Sequence, residues 1–245
     1  PALDVGLSPL TSGTLEGGAT RSSDTPGGFG QSLDLRNDDP YAHVLEGDAE
    51  DLDGLGQLTL TTWLKLADYT SGNNRLSAKQ AGGSFGGFSW NMNATPNDGT
   101  VGPDNFRLGL FLGGDGGFDF AFSDADAGAA DWTFLAATYA SATQTIAYYM
   151  GDVTSPVALL GTPQVMATSP GTLDAGTARF GVGFTDAAAT ANTSANGWQD
   201  DVRVYGRVLS LPELEAVRFA NVIPEPSTLC LLFLGVAARL GRRQR

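Results

Sequence analysis

The sequence predicts an all-β protein: a two-sheet antiparallel sandwich of the jelly-roll type, followed by a short helix and an apolar tail. Glycine is abundant, at 33 of 245 residues, and there are only two lysines, a composition typical of many short strands joined by turns. Apolar and polar residues alternate in about ten short segments, as half-buried strands require. No helical pattern separates these segments, which argues against the crossovers of a parallel sheet. Two packed antiparallel sheets satisfy this pattern.

The clearest strand covers residues 58–66, with the sequence L-T-L-T-T-W-L-K-L. Its four leucines fall on one face and Thr59, Thr61 and Trp63 on the other, because strand side chains alternate between two faces. The same alternation predicts strands at residues 33–35, 41–45, 88–92, 106–112, 118–122, 132–139, 143–151, 180–184 and 200–205. Residues 123–131 form a small-residue acidic loop between two of these strands.

A short helix is predicted over residues 209–219. Ser210 and Glu213 have the spacing of a capping box, in which the two residues satisfy free amides at the start of a helix. Pro212 falls in the first turn, where its missing N–H costs little. The helix is therefore the last element of the domain and does not connect two strands of a sheet.

The chain divides into three parts. Residues 1–27 are rich in Gly, Ser, Thr and Pro and are expected to form an extended, poorly ordered lead-in. Residues 28–220 carry the strands and the helix, and residues 221–245 form the tail. The sequence starts at Pro1 without a visible secretory signal peptide, and we expect that one was removed or lies outside it.

The tail combines a Pro-Glu-Pro triplet, an apolar run and a basic end. Pro224, Glu225 and Pro226 interrupt any helix that arrives from upstream. Residues 229–238 are apolar, and four arginines follow them. Arginines favour the cytoplasmic side of a membrane, so the run is interpreted as a stop-transfer segment with everything before it exported. The run is short for a spanning helix, which needs about 20 residues.

This tail resembles the PEP-CTERM sorting signal of exported proteins from Gram-negative bacteria that make extracellular polysaccharide. The resemblance implies recognition and removal of the tail by a membrane protease, exosortase. It also implies delivery to the cell surface or the extracellular matrix, with membrane attachment only through the tail. A plain C-terminal membrane anchor is the alternative.

The charge of the chain excludes some partners. The formal net charge is −13, and the tail carries four Arg and one Glu, which leaves about −16 on the rest. Such a domain repels nucleic acid and anionic membrane surfaces. Its acidity either keeps an exported protein soluble or recruits divalent cations. The single cysteine, Cys230, lies in the tail, so the domain has no disulfide framework.

The domain resembles laminin-G-like domains, which have the concanavalin A-like jelly roll. Four stretches carry the resemblance, in the family's order, between residues 28 and 219. They are S-L-D-L with Y-A-H-V at residues 32–44, the strand at residues 58–66, D-W-T-F-L-A-A-T-Y with I-A-Y-Y-M-G-D at residues 131–152, and G-W-Q-D-D-V-R-V-Y-G-R-V-L-S-L-P-E-L at residues 197–214.

The resemblance implies a structural Ca²⁺ site. Asp200 matches a position that helps hold Ca²⁺ in several relatives, and Asp34 is a weaker candidate ligand. The alternative is that Asp200 accepts hydrogen bonds from backbone amides of the lead-in. Asp201 is expected to point to the opposite face of the strand from Asp200.

Aromatic residues provide the candidate ligand-binding set. Trp63 and Tyr149 lie opposite the aliphatic faces of their strands, and Trp90 is a third available platform. These rings either line a groove for carbohydrate or belong to a second packed face.

Catalysis is not expected. His43 is the only histidine, so no zinc or haem set can be assembled from soft ligands. No motif context around it indicates a Ser-His-Asp triad. Glycoside hydrolysis needs two carboxylates about 5–9 Å apart, and no strong strand carries glutamates at the spacing of jelly-roll glucanases. Glu213 and Glu215 belong to the predicted helix instead.

The sequence therefore predicts an exported, non-enzymatic jelly-roll domain that binds a carbohydrate or a protein ligand, with Ca²⁺ as a possible structural ion. Two alternatives stay open: a structural matrix protein without a discrete ligand, and a polysaccharide-cleaving enzyme.

Overall fold

The structure is a computed structural model. It describes residues 13–36, 43–48, 50–69, 74–80, 86–93, 99–176, 178–183 and 194–220. The side chains of residues 43–50 are not described. The Pro224–Glu225–Pro226 triplet, the apolar run and the start of the chain lie outside these ranges.

The described residues form many short strands and one α-helix near the end of the domain, which confirms the predicted all-β class. The strands are β1 Thr14–Glu16, β2 Thr20–Ser22, β3 Ser32–Asp34, β4 His43–Asp48, β5 Gln57–Leu66, β6 Asn74–Gln80, β7 Gly87–Asn93, β8 Arg107–Gly114, β9 Gly117–Phe122, β10 Thr133–Ala140, β11 Thr145–Asp152, β12 Ala158–Leu159, β13 Gln164–Val165, β14 Arg179–Val182 and β15 Gly197–Tyr205. A 3₁₀ turn covers Glu50–Leu52, and helix α1 covers Leu211–Ala220.

The strands form two antiparallel sheets. The seven-stranded sheet has the order β1-β4-β14-β6-β7-β8-β9. The eight-stranded sheet has the order β12-β11-β10-β5-β15-β3-β2, with β13 also paired to β11. In each sheet, half of the neighbouring pairs in the strand order join strands that are distant in sequence, as in a jelly roll, so the predicted architecture is confirmed.

The sandwich begins earlier in the chain than the sequence indicated. Within the segment expected to be a lead-in, β1 pairs with β4 and β2 pairs with β3, so this segment contributes one strand to each sheet. These three-residue strands carry few large apolar side chains. Backbone hydrogen bonds to the partner strands hold them in place, so the sequence shows no hydrophobic alternation in these residues.

The inner core lies between the two sheets. From the eight-stranded sheet it receives the leucines of β5, and from the seven-stranded sheet it receives Phe88, Trp90 and Met92 of β7. All of these side chains are buried. The alternation read from the sequence therefore places the correct face of β5 and of β7 inward.

A second core covers the outer face of the eight-stranded sheet. There α1 packs Leu214 and Val217 against Trp63 and Phe134. The two rings meet edge to face, with 5.6 Å between their centroids. Half of the predicted capping box is present: the backbone N–H of Ser210 donates to Glu213 Oε2 over 2.8 Å, and the Ser210 hydroxyl donates to the same oxygen over 2.7 Å.

A long segment, residues 153–176, runs over the surface and is called the strap. Much of its backbone has no sheet partner, and carboxylates accept its amide hydrogen bonds instead. The acceptors and the amides they bind are Asp152 with Thr154 and Ser155, Glu215 with Val157, Asp124 with Thr162, Asp119 with Thr168, Asp115 with Thr172, Asp53 with Ala175, and Asp174 with Gly176. Part of the acidity of the domain is therefore used in internal bonds.

The strap should loosen in acid before the sheets do. The hydrogen bond from the Thr172 amide lowers the pKa of Asp115, and the hydrogen bonds from Thr162 lower the pKa of Asp124. A lowered folded-state pKa gives stability that is present above the unfolded value and lost as the pH falls through the folded value. We expect the amides of Thr162 and Thr172 to lose protection below about pH 4, while strand amides keep theirs.

Hydrogen–deuterium exchange, expressed as protection factors from pH 6 to pH 2, measures this loss. Ala137 in the middle of β10 is the reference amide. Loss of protection at the same pH in the strap and in β10 would contradict the expectation.

A buried ion pair closes one end of the sandwich. Lys79 of β6 is fully buried, and its Nζ lies 2.6 Å from Asp53 Oδ2 and 2.9 Å from the carbonyl oxygen of Gly176. The other oxygen of Asp53 accepts the amide of Ala175. Lys79 points inward because its neighbours across the ladder, Phe88 and Phe180, do so too.

Asp53→Asn should destabilise the domain strongly, because it keeps an oxygen for Ala175 but leaves the Lys79 ammonium buried without a counter-charge. Breaking a buried pair costs roughly 3 kcal/mol or more in the free energy of unfolding. Urea unfolding measures the change. Asp51→Asn, at a solvent-exposed aspartate two residues away, is the control. A loss below about 1 kcal/mol, as for surface pairs, would refute the prediction.

Candidate functional site

A cleft of about 1020 Å³ opens at the end of the sandwich where β5 and β11 end and β10 begins. Its walls come from the acidic loop before β10, from the end of β11 and from the start of the strap. Its most prominent lining residues are Asp104, Asp126, Asp131, Trp132, Met150 and Asp152. The cleft therefore combines carboxylate oxygens with apolar surface, the mixture found in small-ligand sites.

The four carboxylates are held in different ways. Asp104 accepts the amide of Ala130 over 3.2 Å, and Asp126 pairs with Arg107 at 3.0 Å. Asp131 is exposed. Burial acts to raise the pKa of Asp152, but its hydrogen bonds from the turn that follows outweigh burial and lower the pKa to about 2. Asp152 is therefore ionised at neutral pH.

Trp132 forms one wall and links the cleft to the outer face of the eight-stranded sheet. Only 7% of this residue is exposed, and its Nε1 donates to Asp24 Oδ1 over 2.8 Å. The second oxygen of Asp24 lies 2.9 Å from Lys65 Nζ. The hydrogen bond from Lys65 is the main reason that the pKa of Asp24 is lowered. These contacts fix the indole in position.

On the same outer face of the sheet, the side chains of Arg36 and Lys65 lie near the ring of Trp198. The Arg36 guanidinium lies 3.7 Å from the ring centroid of Trp198, and Lys65 Nζ lies 5.3 Å from it. Arg36 also pairs with Asp34 at 2.7 Å. The hydrogen bond from Arg36 is the largest cause of the lowered pKa of Asp34. Asp34, a predicted calcium ligand, thus has a cationic partner in the structure.

Asp200 and Asp201 lie at a β-bulge, where β15 changes register against β5 between Asp200 and Arg203. Asp200 stands opposite Trp63, and Arg203 stands opposite Thr61, so both lie on the outer face of the sheet. Asp201 has φ of 49° and binds Arg203 Nε over 2.6 Å. The expectation that Asp201 points away from Asp200 is therefore wrong, because the extra residue of the bulge breaks the alternation.

Burial raises the pKa of Asp200 to about 6, and the nearby charge of Asp201 acts in the same direction. Among the residues that the structure describes, no group of three or more His, Cys, Asp or Glu side chains could hold a metal ion. Asp34 lies opposite Trp198 in the ladder, not opposite Asp200. Calcium binding at Asp200 with backbone carbonyls stays a prediction.

The three predicted ligand-binding aromatics do not come together. Trp90 is buried in the inner core and Trp63 in the second core, so neither presents a ring face to solvent. Trp63 belongs to the second packed face that was the alternative for it, because α1 covers this part of the sheet. Tyr149 is half-buried at the margin of the second core, opposite Leu159 of β12.

Sequence reasoning missed an exposed aromatic surface on the seven-stranded sheet. Phe111, Phe118, Phe120 and Phe122, here the phenylalanine cluster, contact one another on the face away from the inner core. Phe111 and Phe120 stack with centroids 4.9 Å apart, and Phe120 is 44% exposed. The alternation in residues 118–122 was a signal for a shared face, but it could not show that this face meets solvent.

Comparison with known proteins gives two results. Residues 222–245 match the PEP-CTERM protein-sorting motif, which confirms the resemblance of the tail. No curated protein sequence matches the chain. The motif supports export and a C-terminal anchor in a Gram-negative cell, and it implies processing by exosortase-type sorting machinery. Within the described part of the chain, no helix has the length and apolar character needed to cross a membrane.

Solved structures share the fold. One is domain 4 of AbnA, a GH43 extracellular arabinanase from Geobacillus stearothermophilus, in complex with arabinotriose, with a TM-score of 0.56, 15% identity, and coverage of 85% of this chain and 89% of that one. Another is the enzymatically active domain of tailspike protein 2 from bacteriophage CBA120, with a TM-score of 0.58, 14% identity, and coverage of 90% of this chain and 32% of that one. At these identities, the likenesses establish the jelly-roll fold.

Asp200→Asn should stabilise the domain at neutral pH. The folded-state pKa of Asp200 is raised above the ordinary aspartate value of 3.8. The stability that the Asp200 carboxyl contributes is therefore fully present below pH 3.8 and is lost as the pH rises through about 6. The variant removes the buried charge, so we expect its melting temperature to exceed that of the parent by a few degrees at pH 7.5. The gain should vanish near pH 4.

Thermal unfolding of both proteins at the two pH values measures this effect. Asp51→Asn is the matched control, because it removes an exposed carboxylate. An Asp200→Asn gain that is equal at both pH values would show that the carboxylate charge is not its cause.

Proposed function

We propose that the chain is an exported, non-catalytic binding protein whose jelly-roll domain holds an extracellular carbohydrate in the cleft beside Trp132. The observation that carries this proposal is the cleft itself, in which fixed carboxylates and apolar side chains converge. The sorting motif supports delivery to the cell surface or the matrix outside it.

The chemistry of the cleft suits a neutral polyhydroxylated ligand. Carboxylates accept hydrogen bonds from hydroxyl groups, and such charge-assisted bonds are short and strong. Asp131 is exposed, and Asp104 uses one described contact, to the amide of Ala130, so both retain oxygens that can accept more hydrogens. Met150 and Pro156 offer apolar surface to the C–H faces of a sugar ring. Because the bond to Ala130 holds Asp104 in place, little ordering of this carboxylate accompanies binding.

The fold is compatible with this role. The similar domain 4 of the arabinanase is seen in complex with arabinotriose. At 15% identity this likeness does not carry the ligand over. It supports only the idea that a sandwich of this kind can hold an oligosaccharide.

Two features of the acids support binding over hydrolysis. A general acid for glycoside cleavage needs a raised pKa, and Asp152 has a lowered one. Asp126 is held in an ion pair with Arg107. Asp200 has a raised pKa, but it lies at the bulge on the sheet face and does not line the cleft. The polysaccharide-cleaving enzyme and the structural matrix protein remain the competing functions.

Affinity electrophoresis of the purified chain in gels that contain extracellular polysaccharides tests the proposal. We expect retardation by at least one neutral polysaccharide. Asp131→Ala should weaken the binding about tenfold or more, because it removes a charged hydrogen-bond acceptor. Asp51→Ala removes an exposed aspartate that precedes β5, at the opposite end of that strand from the cleft, and should leave retardation unchanged.

The competing functions give different results. Retardation by none of the polysaccharides would favour the structural role. Release of new reducing ends from a retained polysaccharide would show an enzyme. Equal weakening by Asp131→Ala and Asp51→Ala would mean that binding follows total charge and that the cleft is not the site.

A further inference from the structure

Helix α1 has an apolar face on the side that does not pack on the sheet. Leu214, Val217 and Arg218 are buried against the body of the domain. At 100° per residue, the exposed arc of the helix runs from Leu211 to Ala220. Glu215 lies within this arc, but its carboxylate is turned to Arg218 and to the amide of Val157, and the other residues of the arc are uncharged and exposed. This outer face of α1 comprises Leu211, Pro212, Ala216, Phe219 and Ala220.

The exposure of this face is unusual for a terminal surface helix, whose outer side normally carries charged residues. Leu211 is 46% exposed and Phe219 is 40% exposed. Val208, just before the helix, adds a further side chain that is 37% exposed. Exposed apolar side chains grouped in this way mark a site of contact with another molecule or a membrane.

The charges around the outer face of α1 are neutralised locally. Glu213 pairs with Arg207 at 2.8 Å, and Glu215 pairs with Arg218 at 2.7 Å. Whereas the chain before the tail carries about −16, the two acidic side chains of this helix are each paired with an arginine, one in the helix and one just before it. The repulsion that the acidic domain meets at a lipid surface is therefore smallest here.

The helix is also held firmly to the domain. Arg218 binds Glu215 and donates to the carbonyl oxygen of Asp152, and Glu215 accepts the amide of Val157. The end of α1 at Ala220 is thus a fixed point on the folded body, and the sorting motif starts at residue 222.

The distance from this fixed point to the apolar run is short. Residues 221–228 separate Ala220 from the run at residues 229–238. Eight extended residues span at most about 29 Å. The headgroup region of a bilayer takes about 5–8 Å of that distance on each side. When the run enters a bilayer, α1 is therefore held close to the lipid surface.

We propose that the outer face of α1 rests on the bilayer surface for as long as the C-terminal tail is attached. This goes beyond the ligand site and relies only on membrane attachment through the tail. Leu211 and Phe219 enter the interface, in the way that amphipathic helices bury an apolar face about 5–10 Å deep. The phenylalanine cluster, on the outer face of the other sheet, then faces away from the membrane.

Fluorescence quenching in vesicles tests the contact with the full chain. Ala216→Cys with Cys230→Ser carries an environment-sensitive dye on the outer face of α1, and Leu211 and Phe219 stay intact. The vesicles are phosphatidylcholine with a spin label near the headgroup. We expect the dye to lose most of its fluorescence. A dye at Val165→Cys, on β13 and 73% exposed, should keep its fluorescence.

Two further samples separate the possible failures. In the first sample, a dye on the native Cys230 reports insertion of the tail. In the second, the double variant Leu211→Glu with Phe219→Glu should abolish quenching of a dye at residue 216, while a dye at Cys230 stays quenched. Quenching at Cys230 without quenching at residue 216 would overturn the proposal, since the tail would then be inserted while α1 does not contact the bilayer. No quenching at Cys230 would overturn its premise.

The same dye without vesicles identifies other occupants. Shielding at residue 216 in dilute aqueous solution would show that the chain's own tail covers the face. Shielding that increases with protein concentration would show a second copy. Either result would overturn the assignment to the membrane.

Discussion

The architecture depends on covering both faces of the middle of the eight-stranded sheet. Strand β5 sends its leucines into the inner core and Trp63 to the other side. An exposed Trp63 and Phe134 would leave a large apolar surface in water, so the second core needs a lid. Helix α1 supplies it, which makes the last element before the tail a structural part of the domain. The export signal is consequently joined to the fold through an element that the fold requires.

Much of the fold followed from the sequence because strand alternation and helix capping are local signals. The leucines of β5, the alternating Phe88, Trp90 and Met92, and the Ser210–Glu213 pair all lie where the pattern predicted. Strands β1 and β2 were not predicted, because backbone pairing holds them without an alternation of apolar residues. Alternation also assigns residues to two faces without telling which of them is covered, so Trp63 remained ambiguous until α1 was placed.

The candidate site was less accessible to prediction. The cleft joins Asp104, the loop that ends at Trp132 and the turn after β11, and only the fold brings these stretches together. At Asp201 the simple rule failed, because a bulge with φ of 49° inserts one residue and turns its side chain to the face of Arg203. Nothing in the sequence around Asp201 announces this bulge, since aspartate is neither glycine nor proline. The C-terminal motif, in contrast, is a linear signal and was recognised directly.

The carboxylate bonds of the strap also affect how the domain survives outside the cell. A protease cuts best where a surface segment can detach and extend into its active site. Along the strap, the amides of Thr162, Thr168 and Thr172 are each tied to a different aspartate of the body. A segment pinned at such short intervals offers no long stretch that can extend without breaking several bonds at once. The acidic composition thereby restrains this long surface segment, and a restrained backbone is a poor substrate for proteases.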